Sequence, residues 1–341
     1  TQPFPFQLLA SSSFLSDGIM DLIAEVENHA SHFYLPPLTF SEFLESGEDL
    51  TVRDAFRDTP VPRDAYEKLL KIFHLYSLTG GMPEIVASIR EFPEMTKVNP
   101  IYEKILEELS RLVHQESATR KTAYLNEEVL QNIFPFAASR ILFNNFGNVG
   151  AGSREIARSM KFLARLMVIQ LIYPIIDTGK DALPKKNLSP RLHIGDTGLV
   201  NYFSGIQHTL YLSQDMNSVF QGQIARQVVG QELLSGSEKA ELVFWTRAKS
   251  QSTAEVDFIV PFQGFQIPVV VRSGEPGKLR SLHMFLDEAP HAFAVRLWSG
   301  PISIGQHQTI RGKRYFLLNL PYFLSSRINE HLKGFIRLVT E

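Results

Sequence analysis

The chain has 341 residues, 44% of them hydrophobic, enough for two or three domains each with its own core. Its 34 Lys+Arg stand against 36 Asp+Glu, a formal net charge of −2, so no whole-molecule field predicts nucleic-acid or membrane binding and any such surface must be a local patch. With no cysteine, disulfides, thiolate catalysis and zinc–thiolate centres are excluded, and a reducing compartment fits.

The opening stretch "TQPFPFQLLASSSFL" lacks the basic head of a secretory signal. "GIMDLIAEVENHA" follows with Ile19, Ile23 and Val26 at i, i+4 and i+7, a helical pattern. His29 and His32 are three apart, but no third ligand is near them, and they are read as surface residues. "SHFYLPPLTFSEFLE" predicts a short strand, two prolines, then a helix from Thr39 with Glu42 completing a capping box. Residues 64–76 place Leu69, Ile72, Phe73 and Tyr76 on one helical face. "TGGMPE" ends that helix: Gly80 and Gly81 supply the cap and Pro83 bars continuation. Helices are expected at about 101–115 and 127–146.

The cleanest periodicity lies in "GNVGAGSREIARSMKFLARLMVIQLI". Ile156, Met160, Leu163 and Met167 share one helical face, and Ser153 after two glycines reads as the N-cap. Arg154, Arg158, Lys161 and Arg165 repeat the same spacing displaced by two residues, about 200° round the axis. With a helix before it and a strand-like run after it, the stretch has helix–turn–helix–wing order. A row of four cations suits phosphates, and equally suits the solvated exterior of a packed helix. The most apolar segment, 162–176, is interrupted by Arg165, Gln170 and Pro174 and falls short of the roughly 20 apolar residues a bilayer needs. A soluble cytoplasmic protein is expected.

From residue 191 the pattern turns strand-like: "ELVFWTR", "EVDFIVPF", "QIPVVVRS" and "HAFAVRLW", with helices at about 219–235 and 278–288. Asp257 and a residue near 270 on the adjacent strand would face one site, as metal-dependent phosphodiester cleavage requires of its carboxylates, with residue 272 beside them. Here those places hold Val270, which cannot ligate a cation, and Arg272, which keeps its proton and cannot act as a base. Glu255, two residues from Asp257, and Glu232 on the preceding helix are the remaining acids within reach. The alternative reading of the acid pair is a solvated strand edge or a salt bridge to Arg272.

In this order, "PLTFSEFL", "GGMPE", "GDTGL" and "EVDF" make the chain resemble the prokaryotic AAA-type ATP-binding proteins that end in a domain of unknown function. The resemblance covers nearly all residues and implies an α+β multidomain fold. Its parts would be a C-terminal remnant of the AAA-type core (1–45), a helical lid with connecting helices (46–120), a winged-helix-like domain (121–190) and an α/β domain similar to PD-(D/E)XK nucleases (191–341). The family's phosphate-binding loop, G-x-x-x-x-G-K-[ST], belongs upstream of the segment "ASSSFL", and no such loop occurs in this sequence. Ser12 and Ser13 match a nucleotide-sensing position, but Ala10 and Ser11 replace its usual Thr-Gly, and the arginine before the "PLTF" segment is missing. The chain is therefore expected not to hydrolyse ATP by itself, and to be the C-terminal remainder of such a protein.

In the nuclease-like part the family runs Glu-Asn on the helix, then E-V-D, then P-I-E-V-K. This chain has Arg226 and Gln227 on the helix, keeps Glu255–Asp257, and replaces the last motif by Pro268 to Arg272. The expectation is a vestigial centre at Glu232, Glu255, Asp257 and Arg272 in a non-catalytic chain that binds DNA or a protein partner through Arg154, Arg158, Lys161 and Arg165. No membrane, metal or cofactor is expected for this chain, although ATP and magnesium are implied for the full-length family and oligomers by AAA-type analogy. Two alternatives stay open: a divergent metal-dependent nuclease, and an ATPase subunit completed by another chain.

Overall fold

The computed structural model describes residues 11, 12, 15, 19, 25 and 35–340, apart from 214–215, 237–240, 249–252 and 273–278. Ile19 and Glu25 are helical; the rest of their predicted helix, with Ile23 and Val26, lies outside the described residues, as do Ser13, His29 and His32.

α1 (Phe40–Glu45) opens on the predicted box: the Glu42 amide donates to the Thr39 hydroxyl and the Thr39 amide to the Glu42 carboxylate, at 3.2 and 2.7 Å. α2 (Leu50–Arg57) is capped by Asp49, and α3 (Tyr66–Thr79) buries Leu69, Phe73 and Tyr76 completely. α3 ends at Gly80, whose φ of 77° a side chain would resist. Pro83 then begins α4 (Pro83–Glu91), at the first helical position where its missing N–H is not needed. α5 (Met95–Glu116) starts six residues before the expected 101 because Pro100 is accommodated within its second turn.

The helix expected at 127–146 stops early. α6 (Arg120–Asn132) gives way to a 3₁₀ turn at Phe134–Phe136, since Pro135 has no N–H to continue the α-helical ladder and its ring crowds the preceding turn. The chain then turns at Ala138, whose φ is 53°, and lies beside residues 190–192: Ala138 N donates to Leu192 O at 2.7 Å and Leu192 N to Ser139 O at 2.9 Å, and Arg140 bridges Arg191. α7 (Ser153–Arg165) is capped by Gly152, not Ser153, with Glu155 accepting the Gly152 amide at 3.1 Å. Ile156, Met160 and Leu163 are buried as predicted, but Met167 lies beyond the helix in a left-handed conformation, φ 58°.

β1 (Ile169–Ile172) pairs antiparallel with β3 (Arg191–Ile194), so this small sheet straddles the boundary expected at 190. Between them β2 (Pro174–Ile175) joins the large sheet. α8 (Thr197–Phe203), α9 (Gln207–Leu212) and α10 (Gln223–Ser235) follow. Then come β4 (Val243–Thr246), β5 (Glu255–Phe262), β6 (Phe265–Val271), α11 (Arg280–Glu288), β7 (Phe293–Trp298), β8 (Ser303–Gln308), β9 (Arg314–Pro321) and α12 (Ile328–Thr340).

The large sheet has the order β2-β4-β5-β6-β7-β9-β8. β4, β5 and β6 form an antiparallel meander, and β6, β7 and β9 run parallel. One buried cluster runs from Phe40 through the helices to Val260, Val269, Val295 and Ile336, so the helical half and one face of the sheet share a core. A second cluster beneath α11 holds Trp245, Val256, Ile259, Val270 and Phe285 on the other face. The C-terminus is tied back to the N-terminal half: Arg327, just before α12, donates to the carbonyls of Phe56 and Arg57 and to the Thr59 hydroxyl, satisfying the open end of α2. The fold is thus mixed helix and strand, with helices first and a mixed sheet after, and no helix among the described residues is long and apolar enough to cross a membrane.

Candidate functional site

Three of the sequence motifs meet at one buried junction. Gly81 donates its amide to Asp196 Oδ2 at 2.7 Å and its carbonyl accepts the Leu38 amide at 2.7 Å, so the main chain of Gly81 joins "PLTF", "GGMPE" and the Asp196 carboxylate of "GDTGL". Asp196 also caps α8, taking the amides of Gly198 and Leu199 at 2.8 and 3.2 Å. The glycines are there because nothing else fits. A Cβ on Gly81 would stand 2.0 Å from Leu38 O, and one on Gly198 2.0 Å from Thr79 O.

α10 supplies the other half of this junction. Gln227 exchanges two hydrogen bonds with the main chain of Ile194, and Gln231 accepts from Thr197 N at 2.9 Å while donating to Tyr76 Oη. Glu232, wholly buried, accepts from Tyr76 Oη at 2.7 Å and from Phe40 N at 3.0 Å. Burial pushes its carboxyl up to about 7 against those two donors, and pushes Asp196 up to about 6 despite the amides it accepts. The Tyr76 hydroxyl is raised too, first by burial and then by Glu232. Glu232 therefore welds α1 and α3 to α10, and its described hydrogen bonds do not involve the strand acids with which the sequence grouped it.

Glu255 and Asp257 sit on β5, where a bulge against β4 interrupts the alternation of side chains. Each is bound to arginine. Glu255 takes Arg140 Nη1 at 2.9 Å and Arg191 Nη2 at 3.1 Å; Asp257 lies 3.9 Å from Arg226 Nε and accepts the Val271 amide at 2.9 Å. Arg191 is buried, lies 4.4 Å over the Phe244 ring and also donates to the Asp257 carbonyl. Desolvation lowers its guanidinium while Asp257 and Glu255 oppose the loss. Three guanidinium groups thus serve two carboxylates, and none of them is the predicted partner: Arg272 is exposed. Val270 belongs to the cluster with Trp245 and Phe285 beneath α11.

Sequence spacing did not reveal Arg140 and Arg191. They come together because residues 138–141 pair with 190–192, and the pairing was hidden inside a stretch that reads as helix. Arg226 was legible as the replacement of a family acid, though not as a partner of Asp257.

On α7, Arg154, Arg158 and Lys161 are exposed together, opposite the buried Ile156, Met160 and Leu163. Arg165 leaves the row: its Nε donates to Leu15 O at 2.7 Å and its carbonyl accepts the Leu15 amide. Ser12 is exposed. The sequence given contains no G-x-x-x-x-G-K-[ST] loop. Among the described residues no three of His, Asp and Glu converge as metal ligands.

Residues 70–210 match the model of a family described as a domain of unknown function (DUF8612), a span that starts within α3 and takes in the junction glycines, α7, the small sheet and Asp196. Neither the curated proteins nor the solved structures give a match.

Proposed function

We propose that this chain is a non-catalytic nucleic-acid-binding protein whose contact surface is the exposed face of α7. The observation that carries this reading is the row of Arg154, Arg158 and Lys161, exposed together on a helix whose opposite side is fixed in the core, with the neighbouring Glu155 engaged by the Gly152 amide. Order in the chain supports a winged-helix reading: α6, α7 and the β1–β3 pair stand in helix–helix–wing sequence. The run α10–β4–β5–β6–α11–β7, with β7 parallel to β6, supports likeness to a PD-(D/E)XK domain. In that frame the acids are engaged by Arg140, Arg191 and Arg226, which place cationic groups where a metal-dependent centre would need a metal ion. Likeness of the N-terminal 120 residues to an AAA-type core and lid belongs to the same reading.

The test is binding to duplex DNA as a function of salt. Substituting Arg154, Arg158 and Lys161 together by glutamine should weaken binding and reduce the slope of log K against log salt by about 2–3, at roughly 0.9 per phosphate contact. An unchanged slope would refute the surface. Manganese-dependent DNA cleavage that vanishes in Asp257→Ala would overturn the non-catalytic part.

A further inference from the structure

The positive surface does not stop at α7. Lys121, in the first turn of α6 with its side chain 89% exposed, lies 3.9 Å from Glu155 Oε1, and Glu155 stands between Arg154 and Arg158 in the sequence of α7. The start of α6 therefore flanks the start of the cation row. Arg120 and Lys121 share one side of α6 with Tyr124, which follows them by four and three residues. The acids close by are engaged: Glu155 accepts the Gly152 amide at 3.1 Å, and Glu127 is hydrogen-bonded to His114 Nε2 at 2.8 Å. Exposed Glu128, one turn on from Tyr124, bounds the patch.

Tyr124 is 52% exposed although its ring is fixed at two points. Arg120 Nη2 donates to its hydroxyl at 3.2 Å, with the guanidinium carbon 5.6 Å from the ring centroid. From α5 the His114 ring meets it edge-on, 5.3 Å between centroids and 86° between planes. Phe92 and Tyr211 are exposed as well, yet among the described residues neither lies against a cation as Tyr124 does. A ring already held in place loses little freedom when something stacks on it, so it is preorganised for contact.

An exposed aromatic among cations suits an unpaired nucleotide, whose phosphate meets the cations while its base stacks on the ring. Stacking needs a base with an open face. Inside a continuous duplex the faces are covered by neighbouring pairs, and only base edges show in the grooves. The two parts of the surface therefore fit different parts of one ligand: the α7 row fits duplex phosphates, and the start of α6 fits a nucleotide beyond the last base pair.

We propose that the start of α6 binds an unpaired nucleotide at a junction between duplex and single-stranded nucleic acid, its base on Tyr124 and its phosphate beside Arg120 and Lys121. This inference rests on α7 as the duplex contact.

Fluorescence anisotropy on the full chain at one salt concentration tests it with three DNAs that share one duplex. The first is blunt; in the second, one strand runs past its complement at both ends in unpaired thymidines; the third has the same tails without bases. The thymidine-tailed DNA should bind at least about fivefold more tightly than the abasic-tailed one, as a single base–aromatic stack allows. Abasic tails add phosphate charge alone, so they separate stacking from electrostatics. Tyr124→Leu should erase the preference, leave blunt-duplex affinity within about twofold, and melt within about 2 °C of the parent, because the side chain is half exposed. Tyr124→Phe, which keeps the ring and loses the hydroxyl contact with Arg120, should retain the preference. Equal affinity for the two tailed DNAs, a preference that survives Tyr124→Leu or fails in Tyr124→Phe, loss of blunt-duplex binding in Tyr124→Leu, or binding to none of the three would each overturn the proposal. The salt slope on the blunt duplex reports on α7 alone, so failure of that surface and failure of this one are read separately.

Discussion

Burial is what holds the proton on Glu232 until about pH 7, against the Tyr76 phenol, the Phe40 amide and the Ser326 side chain, which all favour the charged form. Raised acids favour the folded state when protonated. The stability that Glu232 and Asp196 lend is full below their ordinary values of 4.5 and 3.8, and is lost as pH climbs through about 7 and about 6 respectively. Thermal melts should therefore fall between about pH 5 and 7.5, by an amount on the order of 3 kcal/mol for Glu232 alone. Glu232→Gln, which keeps an acceptor for Tyr76 and Phe40, should flatten that slope; an unaltered slope would locate the titration elsewhere. Gly81→Ala belongs to the same neighbourhood. Its methyl would stand 2.0 Å from Leu38 O, a main-chain atom that cannot swing aside, and chemical denaturation should show a loss upward of about 3 kcal/mol.

Among elements, β5 and α7 divide their charged residues in ways that substitutions can separate. Arg191→Met removes a buried guanidinium from Glu255 and from the Asp257 carbonyl, and should cost about 3–5 kcal/mol of unfolding free energy. Arg272→Met, at an exposed position, should change stability by no more than about 0.5 kcal/mol. Equal losses would restore Arg272 as the acid partner. On α7, Arg165→Gln should lower stability through the lost Leu15 contact without altering the salt slope of DNA binding, unlike the three exposed cations. Most of this was readable from local pattern. The Thr39–Glu42 box, the glycine stop after Thr79, the buried face of Ile156, Met160 and Leu163, and the β5–β6 hairpin each rest on residues close in sequence. What escaped depends on distant partners. Residues 138–141 look helical until Pro135 turns them onto 190–192, and Glu232 looks like a companion of Glu255 until α10 presents it to Tyr76. β8 and β9 went unread as well: β8, with Gly305 at its centre and glutamines around it, has no apolar alternation to betray it.

For the molecule as a whole, the shared core and the Arg327 clasp join segments that the sequence distributed over four domains. Calorimetry should then record a single cooperative transition for the described body, with van't Hoff and measured enthalpies in agreement. Two resolved transitions would mean that the helical half and the sheet unfold separately. β8 has a consequence for handling the protein. It is the last strand of the sheet, six residues with no lysine, glutamate or proline, Ile304 is 41% exposed, and among the described residues nothing pairs with its outer rim. Such a rim is a template on which a stray extended peptide can add by main-chain bonding, the usual first step toward precipitation. Placing a lysine at position 304 should raise the concentration at which the chain stays clear in solution, measured by light scattering, without shifting its melting temperature.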